Sequence, residues 1–440
     1  MTDAIRFLHE LGFDDLPEDV VHQAIRCVKD LIGVAAAGTS TELSRIIRNH
    51  AVENFAAGPS RSARLMFDGR AVSPPGAALA NAMTIDSVDA HDGHPACKGH
   101  VGVGILPAIL ALPEGGMTGR EFLTRVVIGY ELGSRLGQAL HATAADYHTS
   151  GAWCALANAA LGARALGLDG EKTRHALGIA EYHGPRSQMM RVIDFPTMLK
   201  DGSGWGAMAG VSAALLAADG FTGAPALLIE SEETASFWTD LGNRWQIREQ
   251  YFKPDPVCRW AQPPVQGVRD LKAAHGFTAA DIDRIEVDTF HEAARLAMRE
   301  PTTTEDAQYS LPWPTAVAAV HGAITVDHVQ GEGLNDTEVL RLSRGLVLRE
   351  KPELQPPFPA KRIAEVTVVL RDGTRLESGL VEAHGSAEDP MTDEEVSAKF
   401  RLYAGPMIGE QKAIELEEVI EGIAETNLIS GLEGLIYASR

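Results

Sequence analysis

The sequence predicts a mainly α protein: a large helical domain built from both chain ends, with a smaller α+β domain between them. Three observations carry this. Apolar residues recur at helical spacing through most of the first half of the chain. After residue 262 the pattern changes to period-two alternation. At Thr392 a helix-start signal returns. The predicted boundaries are 1–262 and 391–440 for the helical domain and 263–390 for the α+β domain.

Each element has a local reason. Val21, Ile25, Val28 and Ile32 share one helical face, and Gly38 closes that helix as a C-cap. Thr118 and Glu121 have capping-box spacing ahead of an apolar run from Phe122 to Leu140. The stretch from Ala152 to Leu166 is rich in Ala and Leu and stops at Gly167, and a further helix spans Gly206 to Ala218. Small residues let helix axes approach closely, so tight packing is expected. From Ile285 to Thr289 apolar or β-branched residues alternate with Glu286 and Asp288, as in a half-buried strand. Asp336 to Leu346 reads as helix. Glu365–Leu370 and Arg375–Leu380 form a hairpin across the turn signal Asp372-Gly373. Thr392 and Glu395 offer a second capping box for a helix through Tyr403, and Ala413 to Leu428 is the last helical segment.

Composition narrows the function. The 440 residues are 45% hydrophobic, enough for more than one core. Sixty acidic and 39 basic residues leave a net charge of −21. A phosphate backbone wants a basic face, so no nucleic-acid partner is expected. An anionic substrate remains compatible, because a few cations in a cleft reverse the local field. The N-terminus lacks an apolar signal core, and the apolar stretch Val101 to Leu112 is short and broken by Pro107. No membrane partner and a cytoplasmic location are expected. Cys27, Cys97, Cys154 and Cys258 form no C-x-x-C pair, which argues against a disulfide framework.

No G-x-S-x-G, P-loop or H-E-x-x-H is present. The run Lys200 to Gly206 resembles a nucleotide loop only superficially, since it follows no strand. The densest polar cluster runs from Asp86 to His100 and holds Asp86, Asp89, His91, Asp92, His94, Cys97, Lys98 and His100. It reads as a metal site, as a solvated helix connection, or as metal-free acid/base and carboxylate-binding groups. A second cluster, Asp146 to Ser150, precedes the Ala-rich helix and puts His148 beside a helix N-terminus, where the dipole favours a neutral imidazole. Lys200 and Lys253 are candidates to hold a carboxylate. Cys258 reads either as a reactive thiol or as a small packed hydrophobe.

These same stretches are similar to the MmgE/PrpD family, which includes 2-methylcitrate dehydratase, cis-aconitate decarboxylase and iminodisuccinate epimerase. The similarity runs through Asn81–Pro107, Gly129-Tyr130-Glu131, His148, Gly167-Leu168-Asp169 and Lys200. It continues through Gly220-Phe221-Thr222-Gly223, Lys253–Cys258, Ser310-Leu311-Pro312 and Lys399-Phe400. The resemblance implies a helical domain with an α+β lid, a homodimer, and a site at the domain boundary that uses neither metal nor other cofactor. It puts Asp89 and His100 on the family's loop aspartate and histidine. His148 falls on the histidine before the Ala-rich helix, Lys200 on the family lysine, and Lys253 and Cys258 on the pair ahead of the lid. Departures are one extra residue before His100, Gly93 in place of a threonine, and, against the decarboxylase branch, Trp313 for tyrosine and Cys258 for histidine.

The shared chemistry is loss of a proton, or of CO₂, beside a carboxylate, and the resulting carbanion character needs cations and donors in a dry site. His100 and His148 are the candidate bases, Lys200 the enolate-stabilising group or opposing acid, and Tyr147 a further acid. Asp89 completes this catalytic set. Arg191, Lys253 and Arg259, with His91 and Cys258, form the substrate-binding set. The expected function is a lyase or isomerase on a small anionic di- or tricarboxylate, with dehydration ahead of epimerisation or decarboxylation. The competing readings are a metallohydrolase built on His91, Asp92, His94 and His100, and a non-catalytic relative that binds a small acid.

Overall fold

The computed structural model describes residues 2–112 and 116–438. Helices dominate the first half. The principal ones are Glu18–Gly38, Pro74–Asp86, Gly102–Ala111, Gly119–Thr143, Ser150–Ala165 and Ser203–Ala218. The Gly119–Thr143 helix starts where its cap signal puts it, with Thr118 Oγ accepting the Glu121 N–H at 3.1 Å. The Glu121 carboxylate does not turn back on the cap; it is taken by Arg125 at 2.7 Å and Arg164 at 2.8 Å. Pro107 lies inside the Gly102–Ala111 helix.

The abundance of Ala and Gly has the expected consequence. The Ser150–Ala165 and Ser203–Ala218 helices meet backbone to backbone. A Cβ on Gly151 would lie 2.2 Å from the Gly202 carbonyl oxygen, and one on Gly206 would lie 2.4 Å from that of Gly151. This contact brings the N-terminal ends of the two helices side by side.

Four strands form one mixed sheet: β1 (Ile282–Thr289), β2 (Val347–Glu350), β3 (Ile363–Leu370) and β4 (Arg375–Glu382). Their order is β2-β1-β3-β4, with β2 parallel to β1 and the other pairs antiparallel. Asp372-Gly373 turns β3 into β4, with Gly373 at φ 90°. The Gln262–His275, Pro312–His321 and Thr337–Gly345 helices pack in this part.

Two large cores result. One joins residues from both chain ends, from Ala4 to Phe252 and from Met391 to Ile436. The other is drawn from Met189–Ile193 and from Val257 to Val368. The C-terminal helix Asp393–Ile408 opens on the complete Thr392/Glu395 capping box and packs against Glu18–Gly38. Lys399 pairs there with Asp30, and Arg26 with Asp393 at 3.0 Å.

The last segment differs from expectation. The helix there is Glu410–Glu421, and it ends at Gly422 instead of continuing to Leu428. The chain turns because it docks on Gly119, whose N–H donates to the Thr426 carbonyl at 3.1 Å. A short helix, Ser430–Ile436, follows.

Ala in place of an exposed helical Gly is normally stabilising by about 1 kcal/mol. Gly151→Ala should have the opposite sign, a loss of about 1–3 kcal/mol in urea unfolding, because the added methyl meets a carbonyl. A variant as stable as the parent would contradict the close approach.

Candidate active site

Three stretches converge where the two cores meet. The Pro74–Asp86 helix runs into a loop that is tied down at Gly93, whose N–H donates to Tyr251 O at 3.1 Å, and at His94, whose N–H donates to Gly99 O at 2.8 Å. The helix end delivers Asp86, and the loop delivers Asp89, His91 and His100. The paired helix N-termini deliver Ser150, Lys200 and Asp201, joined by a 3.1 Å bond from Gly151 N–H to Asp201 O. Lys200 has φ 49°, a left-handed conformation that a non-glycine residue adopts at a cost and that local packing must hold. From the second core come Cys258, Gln308 and Tyr309, with Lys253 just ahead of them.

Lys253 is fully buried and pairs with the Asp89 carboxylate, and its Nζ also donates to Asp89 O at 3.3 Å. Lys200 Nζ donates to Gln308 Oε1 and sits 4.7 Å from the centre of the Tyr309 ring. Gln308 is oriented by its Nε2, which donates to Ser87 O at 3.0 Å. His100 Nδ1 lies 2.7 Å from Asp92 O. A carbonyl only accepts, so Nδ1 carries the hydrogen and Nε2 keeps its lone pair. That Nε2 is 3.9 Å from Asp201 Oδ2. Ser150 Oγ donates to the same Asp201 oxygen at 2.6 Å and accepts the His100 N–H at 2.9 Å. His91 packs edge-on to His100, with ring centres 4.6 Å apart. Both His91 ring nitrogens, Asp86 Oδ2 and Asp201 Oδ1 are buried without a hydrogen-bond partner.

Burial moves the two kinds of group in opposite directions. It pushes His100 down to about 3, helped by the charge on Lys253, and holds His91 well below the imidazole range. Both rings are therefore neutral. Burial raises the Asp86 and Asp201 carboxyls, and neighbouring carboxylates raise them further. At Asp89 burial also acts upward, but Lys253 and Lys200 outweigh it and hold the group below the usual carboxylate range. Burial lifts the Cys258 thiol to about 12 and keeps it protonated.

The other residues singled out in the sequence divide. Tyr147 donates its hydroxyl to Lys98 O at 2.7 Å, and burial keeps it a neutral phenol. His148 is buried with Nδ1 unpartnered, and its ring makes no hydrogen bond to His100, Lys200 or Asp201 among the described residues. Arg191 is exposed and lines, with Arg186, Gln188, Trp205 and Lys200, a surface cavity of about 410 Å³. Arg259 faces backbone instead of open space, donating to Ala383 O and His384 O at 2.8 Å. Trp313 is buried and gives its indole N–H to His328 O at 2.9 Å, while Lys200 Nζ lies over the ring of Tyr309, four residues earlier.

Ligand atoms of Asp89, His91 and His100 lie within 4.8 Å of one another. The set fits a metal poorly, because the Lys253 ammonium already occupies the Asp89 carboxylate. The four-ligand set His91, Asp92, His94 and His100 does not converge. Asp92 accepts from Tyr130 OH at 2.6 Å, and His94 Nδ1 accepts from Ala96 N–H at 3.1 Å. Asp86, Ser150, Asp201, Gln308 and Tyr309 were not singled out as site residues from sequence. Asp86 lay inside the flagged loop and Asp201 beside Lys200, which is the signal that could have found them.

Fold and site define a mainly α protein with a buried carboxylate, imidazole and lysine cluster shared by two cores. The chain belongs to the MmgE/PrpD family: the MmgE/PrpD N-terminal domain matches residues 3–247 and the C-terminal domain residues 256–423. It is 25% identical to the cis-aconitate decarboxylase of Mus musculus, covering 98% of this chain and 91% of the relative. It is 22% identical to the cis-aconitate decarboxylase of Aspergillus terreus, covering 97% and 93%. A cis-aconitate decarboxylase-like protein of Aspergillus oryzae is also 22% identical, over 97% and 95%. The two cis-aconitate decarboxylases are, by name, lyases. No helix among the described residues is long and apolar enough to cross a membrane.

Lys253→Met should lower stability by about 3–5 kcal/mol in urea unfolding, because it strands the Asp89 carboxylate. Adding Asp89→Asn should recover part of that loss. An additive double variant would contradict the pairing.

Proposed function

We propose that this chain is a metal-independent lyase that removes a proton beside a carboxylate of a small di- or tricarboxylate, and that it eliminates water from a 2-methylcitrate-like hydroxy acid. The observation that carries this is the His100 imidazole, neutral and with Nε2 free, facing protonatable carboxyls and two lysines in one buried cluster. An imidazole with a free lone pair beside a carboxyl raised enough to carry a proton is what an elimination needs.

His100 Nε2 takes the C–H proton. Negative charge then grows on the adjacent carboxylate as an enolate-like form, and Lys200 and Lys253 stabilise it in a site largely shielded from water. His91 packs edge-on to His100, and the Tyr309 ring lies against Lys200. His148 and Tyr147 lie just ahead of the Ser150 helix start as supporting groups. The surface cavity bearing Arg191 and Arg186 reaches Lys200 and offers an entry path for an anion.

Decarboxylation is the second reading, carried by the names of the relatives. It is weakened by Cys258, whose thiol is a poor acid at about 12, and by Trp313, whose indole N–H is committed to a carbonyl. Epimerisation would need an acid and a base on opposite faces of one carbon. The chain is further read as a cytoplasmic homodimer with no nucleic-acid or membrane partner. The net charge of −21 supports the absence of nucleic acid, and the exposed apolar Trp205, Leu216 and Phe221 support self-association.

Incubation with citrate-like hydroxy acids in D₂O, followed by NMR, should show loss of water and an alkene product. Deuterium uptake without net loss would indicate an epimerase, and release of CO₂ a decarboxylase; either would overturn the hydro-lyase reading. His100→Gln should lower kcat by about 10²- to 10⁴-fold with little change in KM. Turnover should survive prolonged EDTA dialysis, and loss restored by added metal would contradict the metal-free reading.

A further inference from the structure

A dehydratase needs a second proton-bearing group as well as a base. The C–H proton must go somewhere, and the departing hydroxyl must receive one. The elimination is proton-neutral overall, so a base and an acid that can exchange a proton with each other would return to their starting state without help from solvent.

The structure assigns the acid to Asp201: its carboxyl protonates the leaving hydroxyl, and His100 then returns the abstracted proton to it. This assignment rests on the hydro-lyase reading above. Four features of geometry carry it. The Asp201 carboxyl is buried, and its Oδ1 has no hydrogen-bond partner, so one oxygen is left to carry a proton. Its other oxygen is anchored by Ser150 Oγ at 2.6 Å. The same hydroxyl accepts the backbone N–H of His100 at 2.9 Å, which ties acid and base to one atom. Finally, Asp201 Oδ2 stands 3.9 Å from His100 Nε2, the nitrogen that holds the lone pair. A small side-chain movement or one bridging water closes that gap. Lys200, at φ 49°, and Asp201 are consecutive, and both side chains lie in the cluster.

The step balances. The C–H bond breaks, its proton forms an N–H bond at His100 Nε2, and its electron pair becomes the new C=C bond. The C–O bond breaks with its pair on oxygen, and the Asp201 proton completes a water molecule. This leaves an imidazolium beside a carboxylate. Transfer of the proton from Nε2 to the Asp201 carboxylate restores both groups. No oxidant, metal or outside proton enters.

The groups facing Asp201 suit this role. Asp86 and Asp89 disfavour its ionised form, Lys200 and Lys253 favour it, and Tyr147, Tyr309, Cys154 and Cys258 are all held protonated by burial. Asp201 is thus a group that both forms can reach. Asp86, the other raised carboxyl, faces His91 at 3.9 Å and has no such link to His100.

As an acid, Asp201 must be protonated to work, so activity should fall as pH rises through its pKa. The Ser150 hydrogen bond favours the carboxylate. Removing it in Ser150→Ala should raise that pKa and move the alkaline limb of kcat to higher pH. A purely structural role for Ser150 would lower kcat at all pH values and leave the limb in place. Asp201→Asn should cut water elimination at least about 100-fold, while citrate binding, read by titration calorimetry, stays within about threefold of the parent. An Asp201→Asn enzyme within about fivefold of the parent, or an unmoved limb in Ser150→Ala, overturns the assignment while the hydro-lyase reading stands. A parent that eliminates no water overturns that reading and this assignment together. Should Asp201→Asn fail to bind citrate, the direction of the Ser150→Ala limb decides.

Discussion

The buried pair between Lys253 and Asp89 is the constraint on which the site depends. Taking two charges out of water is expensive, and the mutual attraction in a low dielectric offsets that cost only when the partners stay together. Here the partners come from different places. Asp89 lies on the loop after the Pro74–Asp86 helix, and Lys253 lies at the entry to the second core. Keeping them paired therefore fixes the loop against the second core. The loop carries His91 and His100 with it, and the bond from His100 to the Asp92 carbonyl then sets which ring nitrogen is free.

Once that junction is dry, one cause sets the protonation of everything in it. Burial disfavours any charged form, so imidazoles fall and carboxyls rise. Asp89 escapes because Lys253 neutralises it. The result is neutral imidazoles beside carboxyls raised toward neutral pH, with positive charge supplied by lysine. An acidic protein can thus hold an anion in a pocket that its overall charge would repel. The same network extends deeper: burial and the nearby Asp30 raise Asp92 to about 7, and Asp30 and the Ala90 carbonyl anchor Lys399 from the C-terminal chain.

Much of this was legible in the sequence, and the boundary is physical. Helix periodicity, the caps at Thr118 and Thr392, and the switch to alternation in β1 depend on near neighbours, so they could be read locally. The Gly and Ala content foretold the Gly151–Gly206 contact in kind. The Asp/His loop stood out by density, and the lysines by family resemblance. What could not be read was direction. Asp86, Asp89 and Asp92 lie within seven positions, yet they turn to His91, to Lys253 and to Tyr130. Arg259 looked like a carboxylate fork and instead closes on backbone carbonyls of residues 383 and 384. Nothing local marks Asp201, because its partner Ser150 is 51 positions away. The early end of the Glu410–Glu421 helix has the same origin, since a distant contact with Gly119 overrides local propensity.

The central claim is that this lysine-bearing cluster is the place where a small polycarboxylate sits. Calorimetric titration of tricarballylate, a tricarboxylate that has no hydroxyl to lose, tests it without requiring turnover. The account predicts saturable binding to the parent and a loss of about 10- to 100-fold in affinity for a folded Lys200→Met variant, the worth of one charge-assisted contact. Equal affinity in parent and variant would contradict it.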